Sequence, residues 1–234
     1  MSAAWAPSAS ACENISFDGS DYTVCRADPA ADDLQLWLND DEGDVFGTYD
    51  RLEQYLARNG QKLSFALNGG MYHEDRRPVG LYVEDGTELM RLVTREGPGN
   101  FGLLPNGVFC FGDGQASIEE SREFQSTNRT CRFATQSGPM LVIDGNLHPR
   151  FRPESTSTFI RNGVGVTTDG TVVFAISNSV VNFDEFARLF RDRLEAPNAL
   201  FLDGNVSRLF SENLARHDIG FPIGPIVGVA RPAD

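Results

Sequence analysis

The sequence predicts an α+β fold: a single domain in which helices pack on a large mixed, mostly antiparallel sheet. Three observations predict it. Asp-Gly pairs recur between strand-like runs, at 85–86, 113–114, 144–145, 169–170 and 203–204, and Asp-Gly tolerates the positive φ angles of a type I′ hairpin turn. Two segments carry apolar residues at helical spacing with helix-end signals. The second of them leads through Pro197 into an apolar run, the order expected of a helix folded back on a sheet.

Residues 1–20 read as a flexible leader, rich in Ala and Ser at first, and 21–234 as the domain. Residues 48–58 form the first predicted helix, with Leu52, Tyr55 and Leu56 on one face and Gly60 beyond its end. Runs 79–84 and 87–93 flank one Asp-Gly pair, and 163–168 and 171–177 flank another, so each is a predicted hairpin. The second helix spans 183–194. Asn182 caps it, and Glu185 three residues later completes a capping box. Residues 199–202 have no polar alternation and read as a strand buried on both faces, delivering Asp203 at its end.

A chain of 234 residues is long enough for a sizeable core. Its net charge of −13 excludes general nucleic-acid binding, which needs a basic footprint. No apolar run approaches the roughly 20 residues of a membrane-spanning helix. Cys12, Cys25, Cys110 and Cys131 contain no C-x-x-C pair. Their spacing favours two local disulfides, 12–25 and 110–131, among three pairings. Ala9-Ser10-Ala11 resembles a signal-peptidase site, so the first residues read as a signal-peptide remnant. Ala9-Ser10-Ala11-Cys12 also resembles a lipoprotein box, which ranks lower because lipidated Cys12 would strand Cys25. Disulfides and remnant together predict a periplasmic or secreted protein.

Four segments can carry chemistry. Ser64 to Asn68 is apolar and ends in Asn68-Gly69-Gly70-Met71, followed by Pro78-Val79-Gly80-Leu81. The glycines let backbone approach a ligand with amide donors exposed. Gln136-Ser137-Gly138-Pro139 lacks the nucleophile-elbow pattern, and only His73, His148 and His217 are present, so a Ser-His-Asp hydrolase is disfavoured. Arg161-Asn162-Gly163-Val164-Gly165 offers an arginine, the natural fork for a phosphate. Asp203-Gly204, with Ser207 three residues on, is the fourth. Each alone is also an ordinary turn or surface charge.

In this order the four segments resemble the phosphodiester glycosidase family, over roughly residues 60–230. That family includes the catalytic domain of the mannose 6-phosphate uncovering enzyme and exported bacterial relatives. The resemblance implies hydrolysis of a sugar 1-phosphodiester on an exported or cell-envelope glycoconjugate. It implies catalytic roles for Asp203, Arg161 and Asn68. Substrate binding falls to Gly69, Gly70, Ser137, Gly138, Gly204 and Ser207. One departure is Asn205, where the family has glycine.

Cleavage at the anomeric C–O bond releases a phosphate anion, so clamping charge matters more than a strong general acid. Arg161 and the Gly69 and Gly70 amides are the expected clamp. Asp203 is the expected base on water or stabiliser of the sugar cation. Glu84 and Asp144 are alternative second carboxylates. A calcium or magnesium ion at Asp203 and Asn68 is a further expectation, from hard oxygen ligands alone. The rival readings are a noncatalytic glycan- or phosphate-binding module and a phosphodiesterase cleaving P–O.

Overall fold

The computed structural model describes residues 11–204 and 206–233. Its class is the expected α+β, but the strands divide into three sheets rather than one. The first has seven strands in the order β1 (Cys12–Phe17), β2 (Ser20–Ala27), β13 (Val172–Ser177), β12 (Asn162–Val166), β14 (Asn198–Asp203), β10 (Met140–Ile143) and β11 (Asn146–Leu147). The second has β16 (Arg216–His217), β15 (Leu209–Ser211), β4 (Gln61–Asn68), β17 (Ile226–Pro232) and β3 (Asp33–Trp37). The third has β6 (Thr87–Met90), β5 (Tyr82–Glu84), β9 (Phe133–Ser137), β7 (Gly107–Gly112) and β8 (Gln115–Glu120). Every pairing among these strands is antiparallel.

The Asp-Gly pairs divide into turns and one exception. Asp85-Gly86, Asp113-Gly114 and Asp144-Gly145 have positive φ at both residues and close the β5–β6, β7–β8 and β10–β11 hairpins. Asp18-Gly19 does the same between β1 and β2. The expected leader is therefore too long: from Cys12 the chain is a paired strand. An alternating Ile15 and Phe17 before Asp-Gly was the signal, hidden by the Ala/Ser-rich start. Residues 1–10, with most of the signal-peptidase-like site, lie outside the described residues. Asp203-Gly204 closes no hairpin. There β14 leaves the first sheet and the chain crosses to β15 in the second.

The three sheets share one core, where Phe65, Phe109, Phe174, Leu200 and Val227 meet. A helix covers each outer face. α1 (Tyr49–Arg58), capped by Thr48, lays Leu52 and Leu56 on Leu63, Ala66 and Ile226 of the second sheet. α2 (Ser121–Thr127), unforeseen in the sequence, sets Phe124 on the third. α3 (Phe183–Arg188) has the expected Asn182–Glu185 capping box and widens into a π-helical turn at Leu189–Arg193. Its Phe186 and Phe190 bury against Ala175, Ala199 and Phe201 of the first sheet, each burial contributing about 1.5–3 kcal/mol. So β14 has Ala199 and Phe201 under α3 and Leu200 and Leu202 in the shared core. That explains its unbroken apolar run.

Disulfides join Cys12 to Cys25, cross-strand partners in β1 and β2, and Cys110 to Cys131. The Cys12 sulfur is thus used, which removes the lipoprotein-box reading. Among the described residues no helix is long and apolar enough to cross a membrane.

Candidate active site

Strands from two sheets deliver the polar cluster. β4 ends in Asn68 and β14 in Asp203, both buried. Asn68 Nδ2 donates to Asp203 Oδ2 at 3.2 Å and to the Val206 carbonyl at 2.7 Å. Its Oδ1 accepts from the Arg208 N–H at 2.8 Å. Asn162, at the start of β12, accepts from the Asp203 N–H at 2.7 Å and donates to the Asn68 carbonyl at 3.3 Å. Gly204 N–H donates to Asp203 Oδ1 at 2.6 Å. Both carboxylate oxygens accept a hydrogen bond, which fixes the carboxylate's orientation.

Arg161 sits just before β12 and is only 1% exposed. Its Nε donates to the Val181 carbonyl at 2.9 Å and its Nη2 to the Ser157 carbonyl at 2.8 Å. The guanidinium lies 3.7 Å from the Phe183 ring centroid, with Phe159 and Phe201 at 5.4 and 5.5 Å. Burial pushes its pKa down to about 10, partly offset by Glu185, so it stays charged at neutral pH. Among the described residues no carboxylate lies within ion-pair distance of it. A β-carbon built on Gly204 would sit 3.5 Å from Arg161 Nη1. The cation and the Asp203 segment are therefore neighbours.

Both face one cleft of about 600 Å³. Arg161, Asp203, Gly204 and Val206 line it from one side. The loop after β4 contributes Met71, Tyr72, His73, Glu74 and Arg76, and a second loop contributes Pro98 to Phe101. Burial, then the Asp203 charge, raises the Tyr72 phenol's pKa, keeping it a neutral donor at physiological pH. Arg76 has φ +70°, a left-handed conformation rare for a residue of its size. Its guanidinium lies 5.3 Å from the Tyr72 ring, a second cation on the cleft wall.

The family model for phosphodiester glycosidase matches residues 61–229. The chain belongs to the phosphodiester glycosidase family. It is 34% identical over 210 residues to the uncharacterized protein YigE of Escherichia coli, covering 90% of this chain and 81% of the relative. Among solved structures it resembles the catalytic domain of zebrafish N-acetylglucosamine-1-phosphodiester alpha-N-acetylglucosaminidase, auto-inhibited by its pro-peptide. That match has a TM-score of 0.63 and 14% identity, over 93% of this chain and 81% of that one. A Burkholderia pseudomallei protein described as exported matches with a TM-score of 0.60 and 11% identity, over 90% and 74%.

In this phosphodiester glycosidase fold the sequence-predicted residues separate by position. Arg161, Asp203 and Gly204 line the cleft, and Asn68 orients Asp203 from behind. The glycine amide clamp is not assembled. Gly69 N–H donates to the Pro225 carbonyl at 2.7 Å and its own carbonyl accepts from Thr135 Oγ1, also at 2.7 Å. Gly70 packs against Thr135, where a β-carbon would sit 2.6 Å from Oγ1. Ser137 is buried with its hydroxyl on the Leu202 carbonyl at 3.1 Å, and Gly138 packs under Asn106. Ser137 therefore supports β14, and neither residue lines the cleft. Ser207 Oγ reaches the Ile160 and Asp203 carbonyls at 3.0 and 2.9 Å, tying Ser207 back to the end of β14. Asn205, the departure from the family pattern, lies outside the described residues.

Two other expectations need correction. Glu84 accepts from Tyr82 Oη, and Asp144 is exposed in the β10–β11 turn; neither lines the cleft. Glu74 is the further carboxylate that does, and neither it, His73, Tyr72 nor Arg76 carried a sequence signal beyond a polar loop. The expected calcium or magnesium site is not built from this pair. Asn68 turns its NH₂ toward Asp203 and uses its oxygen on Arg208, so of the two only the Asp203 carboxylate is left to ligate a hard cation. Among the described residues no cluster of three acidic or His ligands exists.

Proposed function

We propose that this protein hydrolyses a sugar 1-phosphodiester, cleaving the anomeric C–O bond, on an exported or cell-envelope glycoconjugate. One observation carries the reading. Arg161 is a buried cation with no carboxylate partner among the described residues, and it opens on the same cleft as Asp203. A buried charge needs a counter-ion, and a phosphate fits the free edge of an aromatic-flanked guanidinium. The two disulfides support an exported location. The activity for which the zebrafish fold relative is named supports the substrate class.

In this mechanism Arg161 holds the phosphate and stabilises the charge that grows on it as the C–O bond breaks. The bonding electrons leave with the phosphate oxygen, and the sugar carbon gains oxocarbenium character. Asp203, oriented by Asn68 and the Gly204 amide, takes a proton from the attacking water as its oxygen bonds to the anomeric carbon. Phe159, Phe183 and Phe201 around the cation lower the local dielectric and strengthen the clamp.

The test is hydrolysis of a panel of sugar 1-phosphodiesters in ¹⁸O-labelled water. Label in the released sugar is expected. Label in the phosphate instead would replace the reading with P–O cleavage. Saturable binding without turnover of any panel member would replace it with a binding module.

A further inference from the structure

We propose that the groove lined by Ser207 and Arg208 is a second oxyanion-binding subsite, anchored by Arg208 and separate from the Arg161 cleft. The groove has a volume of about 520 Å³ and is lined by Ile160, Ser177, Ser207, Arg208, Arg216 and Ile219, among others. It uses the same two segments as the cleft, turned the other way. Arg161 and Gly204 face the cleft, while Ile160 and Ser207 face the groove.

Arg208 is 8% exposed. Its backbone is pinned from both sides, the N–H on Asn68 Oδ1 at 2.8 Å and the carbonyl accepting from Tyr49 Oη at 3.0 Å. Its guanidinium makes no hydrogen bond or ion pair with any described residue. The neighbouring charges are already matched. Arg216 donates to Asp218 from Nε and Nη2, and its Nη1 reaches Thr23 Oγ1 and Asn178 Oδ1 at 2.9 and 2.8 Å. His217 faces Asp50 at 3.5 Å. Arg208 is left as a cation inside a wall, aimed into the groove and into a smaller hollow of about 120 Å³ beside Tyr49 and Gly220.

Gly220 keeps that hollow open. Its φ of +149° is disfavoured for residues with a side chain, and a β-carbon there would sit 2.5 Å from Arg208 Nη2. Ile219 and Phe221 flank it, 83% and 80% exposed. The chemistry recognised is thus a phosphate-type oxyanion with an apolar neighbour. A planar guanidinium donates to two of its oxygens, and the Ile160 and Ile219 side chains accept the apolar part. Its source is either a further phosphate of the cleft's own substrate or a free anion.

The experiment uses folded Arg161→Gln protein, so that the cleft no longer reports. Inorganic phosphate is titrated while backbone amide shifts are followed by ¹H–¹⁵N spectroscopy. Saturable shifts at Ser207, Arg208, Ile219 and Gly220 are expected. They should weaken at least tenfold in affinity in Arg161→Gln/Arg208→Gln. Absence of those shifts, or shifts unchanged by the second substitution, would overturn the proposal without touching the hydrolase reading. If the double variant fails to fold, Ile219→Asp serves instead, placing a repelling carboxylate on an exposed position, with the same tenfold weakening expected. In the unsubstituted protein, a glycan with two phosphates binding at least tenfold tighter than one with a single phosphate identifies the substrate as the source. Equal binding of the two glycans identifies the free anion.

Discussion

Gln136 at β9 and Arg161 before β12 are both long polar side chains held inside the protein, and their surroundings treat them oppositely. Gln136 Oε1 accepts from the Leu81 and Val93 amides, each at 3.0 Å. Its Nε2 donates to the Val93 carbonyl at 2.6 Å and to Ser121 Oγ at 2.8 Å. It ties two loops and the start of α2 to the third sheet. Arg161 uses Nε and Nη2 on carbonyls and turns Nη1 toward Gly204 and the cleft. Burial does not separate scaffold from site here, since both are buried. Unused hydrogen-bonding capacity does.

The largest expected effect sharpens that contrast. Arg161→Gln and Asp203→Asn should each lower kcat/KM at least about 100-fold, as loss of a charge-stabilising donor or base does. Arg161→Gln should leave the urea midpoint unchanged or raised, because it removes an unpaired buried charge. A lowered midpoint with retained turnover would reverse the assignment of the two residues. Gln136→Ala should do the opposite. Stranding its partners should cost about 3 kcal/mol of unfolding free energy, while kcat per folded molecule is kept.

Asn182→Ala should cost about 1 kcal/mol, the loss of an N-cap. The chain is anchored there because Asn182 also donates to the Pro153 and Ser155 carbonyls at 3.0 and 3.3 Å. The smallest effect is a pH dependence. Burial lowers the His148 pKa, and its Nδ1 accepts from the Arg150 amide at 3.2 Å, a bond only the neutral ring accepts. The unfolded chain therefore binds the proton first, so stability should fall as pH drops below about 6.5. His148→Gln should flatten that slope in thermal unfolding followed between pH 7 and 5.

The local elements were legible because their causes are local. Thr48 and Asn182 cap helices by bonds within three residues, and the Asp-Gly hairpins close on themselves. The division into three sheets was not, because β4 pairs with β17 across more than half of the chain and no local pattern encodes that partner. Of the site, Arg161 and Asp203 were legible as polar ends of apolar strands. Tyr72, Glu74 and Arg76 were not, since a loop without periodicity becomes a wall only after β4 and β14 are placed. The Gly69 amide misled for the same reason: Pro225, 156 positions on, takes its hydrogen bond.

The open edge of Arg161 also makes the protein's melting temperature a reporter of its natural ligand. A ligand that binds only the folded chain stabilises it by about 2.7 kcal/mol at one hundred times its dissociation constant. An anion that neutralises a desolvated guanidinium binds the native state alone, because the unfolded chain has no such cavity. Heating the protein with candidate phosphodiesters, before any assay exists, should therefore rank them by how well they complete its interior.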